Sequence, residues 1–202
     1  MTRTNIINAL IRKFKYKSYL EIGVQNTAFN FDKIECDDKI GIDPKQIPGI
    51  LQMTSDAFFE QNSRRFDLVF VDGLHHHQQA YKDVVNALGC LTERGTVVMH
   101  DCNPTTEEMQ RVPLRWWRSR RPWTGDVWKA WVSLRANLGL DMFVVDTDYG
   151  VGIVRPQKGQ TLQLAQELTW ANLSVNRKAW LELKSVAEFQ AWLESPTYTK
   201  QG

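Results

Sequence analysis

The sequence lacks the cysteine pattern and the long apolar runs that would assign it to several classes of protein. Its three cysteines, Cys36, Cys90 and Cys102, have no paired spacing and form no CxxC motif. Neither a disulfide framework nor a cysteine-based zinc site is therefore expected. No apolar run approaches the ~18 residues needed to cross a bilayer, and we see no secretory signal. We expect a cytoplasmic protein with no stable membrane insertion.

An excess of charge of one sign is also absent. The 202 residues contain 25 Lys and Arg against 23 Asp and Glu, so the formal net charge is only +2. A nucleic-acid-binding protein usually has a larger basic excess, and we expect no nucleic-acid partner. The length and the hydrophobic fraction of 43% predict one globular domain with a substantial core.

Histidine is scarce, and its placement is the most informative feature of the sequence. All the histidines follow two apolar segments, 66–71 and 96–99, that are typical of buried parallel strands, and each segment also leads into an acid. The histidines are His75, His76, His77 and His100, and the acids are Asp72 and Asp101. In an open α/β sheet, ligands bind outside the carboxyl ends of the strands. Groups suited to proton transfer or metal binding are therefore expected together at that edge.

Strand and helix patterns alternate along the chain, which predicts an α/β fold. We expect a Rossmann-like, doubly wound, mostly parallel seven-stranded sheet that ends in an antiparallel hairpin and is followed by C-terminal helices. The predicted strands are 19–24, 39–43, 49–53, 66–71, 96–99, 142–145 and 151–154. The predicted helices are 5–14, 57–62 with Ser55 and Asp56 as its cap, 78–91 with Val84 and Val85 facing inward, 126–138, and much of the chain from residue 160 onward.

The first predicted strand and the second carry the pattern of a nucleotide site. Glu21 and Gly23 end the first strand, and Asp43 closes the second, where an acid accepts hydrogen bonds from ribose hydroxyls. The dinucleotide fingerprint G-x-G-x-x-G is absent, because no further glycine follows until Gly41. A pyrophosphate needs that glycine-rich loop. The pattern therefore argues against NAD or FAD and favours S-adenosylmethionine, which has a ribose and an amino-acid end but no phosphate.

Five motifs, taken together, resemble the class I S-adenosylmethionine-dependent methyltransferases, a family with many small bacterial members that is similar to sugar and small-molecule O-methyltransferases. They are Tyr19-Leu-Glu-Ile-Gly-Val24, Gly41-Ile-Asp-Pro44, Thr54-Ser-Asp-Ala-Phe-Phe59, Phe66-Asp-Leu-Val-Phe-Val-Asp-Gly-Leu-His75 and His100-Asp-Cys-Asn-Pro104. The resemblance covers roughly residues 18–155. It implies a methyltransferase domain over 1–157 and a helical extension over 158–202 that packs on the same domain. The family usually has a further glycine where Thr27 or Ala28 stands here, a departure that would narrow the cofactor pocket or weaken binding.

The resemblance also implies roles for residues around the cofactor. Glu21 and Gly23 would lie beside its methionine end, and Asp43 would bind the ribose. Ser55 and Asp56 would lie near the adenine, where Asp56 would accept from the exocyclic amine. Asp72 would lie close to the transferred methyl group.

Related O-methyltransferases hold a divalent cation with acids at the positions of Asp72 and Asp101, and Asn103 or His76 would be the third ligand here. Oxygen ligands suit Mg²⁺, whereas a histidine ligand would shift the preference toward Mn²⁺, Fe²⁺ or Zn²⁺. A hydroxyl acceptor must also lose its proton, and the available bases are His75, His76 and His100.

The segment 115–123 alternates arginine with tryptophan and follows the fifth strand, where this fold often has a lid over the acceptor. Stacking on a sugar or ring, a membrane surface, a partner chain and a solvated basic loop are all open interpretations. The C-terminal tryptophans favour core packing or a homodimer contact. The overall interpretation is an O-methyltransferase for a small molecule or sugar hydroxyl. The alternatives are a non-catalytic S-adenosylmethionine-binding protein and a nicotinamide-dependent oxidoreductase.

Overall fold

The structure is a computed structural model that describes residues 1–113 and 122–195. Its described part has one mixed sheet of eight strands in the order β3-β2-β1-β4-β5-β7-β6-β8. The strands are β1 Ser18–Ile22, β2 Asp38–Asp43, β3 Leu51–Gln52, β4 Phe66–Val71, β5 Leu91–Met99, β6 Leu140–Val145, β7 Val151–Lys158 and β8 Leu183–Lys184. The helices are α1 Arg3–Phe14, α2 Ser55–Gln61, α3 His77–Gly89, α4 Val127–Leu138, α5 Trp170–Leu181 and α6 Val186–Glu194.

The Rossmann-like prediction is confirmed. Strands β1 to β5 pair in parallel, whereas β7 runs antiparallel to both β5 and β6. The hairpin of β6 and β7 therefore closes the sheet as expected. The predicted number of strands was one too few, because β8 pairs in parallel with Val144 and Val145 of β6. Strand β8 has only two residues, which is too short for an alternating pattern in the sequence. Only its pairing with β6 in the folded protein makes it a strand.

Apolar side chains cover both faces of the sheet. One face packs against α3, α4 and α5, where Trp128 and Trp131 are fully buried. The other face packs against α1, whose buried residues include Ile6, Ile7 and Leu10, and against Phe189 of α6. A sheet that is covered on both sides leaves its strand ends as the place for a ligand.

Several local predictions were wrong. Thr54, not Ser55 or Asp56, caps α2, since its side chain accepts from the backbone N–H of Ala57. Val85 is 41% exposed, because α3 turns Val84 and its alanines toward the sheet instead. Residues 160–169 contain no helix, and the helical C-terminal region begins only at Trp170.

The C-terminal residues contact the sheet domain through specific side chains. The indole of Trp180 stacks on that of Trp128 with ring centroids 6.3 Å apart, and Trp131 donates to the backbone carbonyl of Leu181. Trp192 packs against the ring of Phe143. The boundary between 1–157 and 158–202 stays a prediction. No helix in the described ranges is long and apolar enough to cross a membrane.

Candidate active site

A large cavity opens at the carboxyl ends of β1, β2, β4 and β5, where the sequence pattern predicts the ligand site. Its volume is about 840 Å³, within the range of small-molecule and cofactor sites. The predicted residues that line it are Glu21, Gly23, Asp43, Ser55, Asp56, Asp72, His75, His100 and Asp101. Residues from all five motifs thus face one space.

Gly23 sits where the loops after β1 and β4 approach each other most closely. Its φ is +85°, a left-handed conformation that favours glycine. A Cβ at this position would lie 2.2 Å from the backbone carbonyl oxygen of Asp72. The turn therefore requires glycine for its conformation and for the close approach of the two loops.

Asp43 ends β2, is 6% exposed, and organises the loops beside it. One carboxylate oxygen accepts from the backbone N–H of Gln25 at 2.8 Å, and the other accepts from that of Lys45 at 2.7 Å. Each oxygen keeps a further lone pair for a ligand. The same carboxylate can therefore shape the cavity wall and accept hydrogen bonds from inside it.

Glu21 lies deep in the cavity wall and is only 2% exposed. Its carboxyl group accepts from the hydroxyl of Tyr19 at 2.5 Å and from the amide of Asn30 at 2.9 Å. Burial raises the pKa of Glu21 to about 7, although these two hydrogen bonds act in the opposite direction. Glu21 thus changes its charge near neutral pH.

Ser55 and Asp56 lie at the other end of the cavity and are already engaged. Asp56 pairs with Lys82 at 2.8 Å and accepts from the amide of Gln79 at 3.0 Å. Ser55 accepts from the same amide at 3.2 Å. Gln79 was missed in the sequence, because nothing in the helical pattern distinguishes it from the neighbouring Gln78.

The acids and histidines after β4 and β5 form one cluster, which we call the Asp–His cluster: Asp72, His75, His100 and Asp101. The Nε2 atom of His75 lies 3.4 Å from Asp72 Oδ1 and 3.3 Å from Asp101 Oδ2. The Nδ1 atom of His100 lies 3.3 Å from Asp72 Oδ1 and 3.4 Å from Asp101 Oδ1. Each imidazole therefore lies against both carboxylates.

The electrostatics of the cluster follow from these contacts. Burial alone would raise the pKa of Asp72, but the charges and hydrogen bonds of His100 and His75 outweigh burial and hold that pKa well below its usual range. Burial would likewise lower the pKa of both histidines, but the two carboxylates outweigh it and raise the pKa of His75, and that of His100 more strongly. The two carboxylates thus favour the protonated form of each imidazole.

Arg3 and Asp148 join the cluster from distant parts of the chain. The Arg3 guanidinium lies 3.2 Å from Asp148 and 3.4 Å from His100 Nε2, and its Nε is 3.9 Å from Asp72. Asp148 lies in the turn between β6 and β7. Burial would raise its pKa, but the hydrogen bond with His100 and the contacts with Arg3 hold it well below the usual range. No local sequence signal indicates either residue, because 145 positions separate them.

Three predicted residues lie outside this cluster. His76 precedes α3 and makes no side-chain capping bond, while His77 contacts Asp126 at 2.7 Å. Asn103 donates to Asp146 at 2.9 Å and accepts from Arg177. Neither His76 nor Asn103 lines the cavity. Among the candidate third ligands His75 thus lies against both acids, whereas the amide of Asn103 is held by Asp146 and Arg177.

Comparison with known proteins agrees with this geometry. Residues 16–102 match the profile of a methyltransferase-domain family, Methyltransf_24, over a stretch from before β1 to just after β5. Residues 16–102 of this chain therefore form a methyltransferase domain. The matched stretch includes every residue of the Asp–His cluster as well as Glu21, Gly23 and Asp43.

Solved structures share the fold of this chain at low sequence identity. Podospora anserina methyltransferase PaMTH1, bound to S-adenosylhomocysteine, is 17% identical with a TM-score of 0.54, covering 74% of this chain and 75% of its own. A provisionally assigned caffeoyl-CoA O-methyltransferase from Staphylococcus aureus is 18% identical with a TM-score of 0.51, covering 77% and 82%. No curated protein matches the sequence significantly.

Three residues of the Asp–His cluster lie close enough together to hold a metal ion. One ligand atom from each of Asp72, His75 and Asp101 lies within 4.8 Å of the others. Two carboxylates and one imidazole form a mixed oxygen and nitrogen donor set that suits Mn²⁺, Fe²⁺ or Zn²⁺ as well as Mg²⁺. Adjacent buried carboxylates repel each other, so a cation or a proton must lie between them.

The predicted arginine and tryptophan segment of the methyltransferase, 115–123, lies largely outside the described residues. Its last residue, Trp123, lines the cavity and stacks on His75 with ring centroids 5.1 Å apart. The backbone carbonyl of Trp123 is 3.3 Å from His75 Nδ1. Trp123 therefore fixes the orientation of the His75 ring, whose Nε2 faces the acids.

Proposed function

We propose that this chain transfers a methyl group from S-adenosylmethionine to a hydroxyl oxygen of a small molecule or sugar. The observation that carries the proposal is the position of the Asp–His cluster, at the end of the cavity next to Gly23. A cofactor whose ribose lies at Asp43 and whose methionine end lies at Gly23 would bring its sulfonium toward Asp72. A hydroxylated acceptor would then lie against His100 and Asp101.

In methyl transfer the protein mainly aligns the acceptor with the methyl group and does not need to form a covalent bond itself. Methyl transfer from a sulfonium is an in-line displacement in which the cofactor provides the reactive carbon. The walls of the cavity must therefore hold the acceptor oxygen on the far side of that carbon. The acceptor hydroxyl also loses a proton, which the carboxylate of Asp101 is placed to receive; His100 could receive it only after losing its own proton.

We further propose that Asp72, His75 and Asp101 hold a divalent cation. When bound, such a cation would lower the pKa of an acceptor hydroxyl. The two carboxylates favour the protonated form of His75 and His100, so cation binding should release protons to solvent. Histidine in the ligand set favours a transition metal over Mg²⁺. The hydroxyl acceptor is preferred because one solved structure with this fold is provisionally a caffeoyl-CoA O-methyltransferase.

The test first measures which cofactor binds and then whether a methyl group is transferred. Calorimetry should detect binding of S-adenosylhomocysteine and none of NAD. Incubation with methyl-labelled S-adenosylmethionine and a panel of sugars and phenolic compounds should give a labelled ether product and stoichiometric S-adenosylhomocysteine. Binding of NAD alone would favour the oxidoreductase. Binding of the cofactor without any transfer across a broad panel would favour the non-catalytic binding protein.

A further inference from the structure

The side chain of Gln79 has an orientation that its neighbours impose. Gln79 lies in the first turns of α3 and lines the cavity. Its Nε2 donates to Ser55 Oγ at 3.2 Å, to Asp56 Oδ1 at 3.0 Å and to Asp83 Oδ1 at 2.9 Å. Two of these partners are carboxylates, which accept hydrogen bonds when ionised and would repel an amide oxygen. The amide nitrogen is therefore assigned to that side by the hydrogen-bond network.

This orientation decides what Gln79 can offer to a ligand. The amide has only two N–H bonds, and the protein wall uses both. The carbonyl oxygen is the remaining polar atom of the side chain. Gln79 therefore presents a hydrogen-bond acceptor, and no donor, to a molecule in the cavity.

The rival acceptor at this end of the cavity is Asp56, and its carboxylate is more heavily used. One of its oxygens accepts from Gln79, and the other pairs with Lys82 at 2.8 Å. A ligand amine would have to share these oxygens with a lysine ammonium and an amide. Gln79 Oε1 has no such competitor among the described contacts.

Apolar side chains also line the cavity. Met53 precedes the cap of α2, and Leu74 is 58% exposed although it belongs to the cavity wall. An exposed leucine beside a polar acceptor suits a flat ring that covers the leucine and presents one N–H to the acceptor. Adenine has this chemistry.

We propose that Gln79 recognises the 6-amino group of the cofactor's adenine through Oε1. Gln79 takes the role that the family resemblance implied for Asp56, and Asp56 and Asp83 act as positioning residues that hold the amide. The inference rests on the proposed binding of S-adenosylmethionine. A 6-oxo purine would place its carbonyl against that of Gln79, so the site should reject it.

The experiment compares two nucleosides by calorimetry with the full chain. S-adenosylhomocysteine carries the 6-amino group, whereas S-inosylhomocysteine carries an oxo group there. The wild-type protein should prefer the adenine compound by about tenfold or more, as expected when a site built for one hydrogen bond meets an analogue that cannot make it. In Gln79→Met that preference should fall to about threefold or less. Gln78→Met, at an exposed neighbour on the same helix that does not line the cavity, should keep the wild-type ratio.

Each outcome decides the matter. An unchanged ratio in Gln79→Met, or a ratio lost in Asp56→Ala but kept in Gln79→Met, would overturn the assignment to Gln79. If Gln79→Met does not fold by circular dichroism, Gln79→Asn replaces it, because the shorter amide cannot reach the same point. A wild-type protein that binds neither compound contradicts the proposed function. A wild-type protein that binds both equally contradicts only this inference.

Discussion

The Nε2 atom of His75 lies 3.3 Å from a carboxylate oxygen of Asp101, whose backbone has a left-handed φ of 59°. His75 follows β4 and Asp101 follows β5, so the contact joins the loops of neighbouring strands. A non-glycine residue in this region stores on the order of 1–3 kcal/mol of strain, which is most often found at functional sites. The strained backbone turns the Asp101 carboxylate toward the imidazole instead of away from it.

Asp101→Asn tests the proposed cation site with the least disturbance, because asparagine tolerates a left-handed backbone. Loss of one carboxylate ligand should weaken Mn²⁺ binding by more than about tenfold, measured by calorimetry. The matched control is Asp126→Asn, which breaks the contact with His77 outside the cluster and should leave Mn²⁺ affinity unchanged. Equal Mn²⁺ affinity in wild type and Asp101→Asn would exclude Asp101 as a ligand.

Asp43→Asn should weaken binding of S-adenosylhomocysteine. Each hydrogen bond from a ribose hydroxyl to a charged acceptor contributes about 1.5–3 kcal/mol, so a loss of at least tenfold in affinity is expected. The control is Asp38→Asn at the start of the same strand, where the side chain is exposed and pairs with Arg64. A folded Asp43→Asn protein with wild-type affinity would remove the ribose assignment.

Gly23→Ala should destabilise the protein and abolish cofactor binding. The alanine Cβ would meet the Asp72 carbonyl oxygen at 2.2 Å in a backbone already at φ +85°. The expected loss in the free energy of unfolding is above about 2 kcal/mol. Gly49→Ala is the control, since Gly49 has a similar φ of +77° but open space around a Cβ, so it should lose only about 1 kcal/mol. Similar melting temperatures for the two variants would show that the close contact relaxes freely.

Glu21→Gln should change the pH dependence of stability. The pKa of Glu21 is about 7 in the folded protein against 4.5 for the free side chain. Between these pH values the folded state binds more protons at Glu21 than the unfolded state does. The wild type therefore loses stability as pH rises from about 4.5 to 7, and this loss stops above pH 7. The loss amounts to about 3 kcal/mol.

Glutamine carries no charge at any pH. The stability of the variant relative to the wild type should therefore rise by roughly that amount between pH 5 and pH 8. Urea unfolding at both pH values measures the difference. A constant difference between the two proteins would mean that burial does not raise the pKa of Glu21. Because Glu21 lines the cavity, the measurement is made without cofactor.

The sequence predicted the sheet because its signals are local. Phe66–Val71 is apolar except for Asp67 and is bounded by polar residues, and the structure gives β4 the same bounds. The short strand β8 and the exposure of Val85 could not be read in the same way. Each depends on which surface packs against the element, and packing overrides propensity.

In the candidate site too, some residues could be predicted from local sequence and others only from the tertiary structure. The sequence by itself placed Asp72, His75, His100 and Asp101 at strand ends, because parallel neighbouring strands of a doubly wound sheet must end at the same edge. It could not choose between His75, His76 and Asn103 as partners of the acids, since one residue along a loop reverses the direction of a side chain. Only the tertiary structure brought Arg3 and Asp148 to His100 and turned the amide of Gln79, because those contacts join residues whose separation along the chain carries no local pattern.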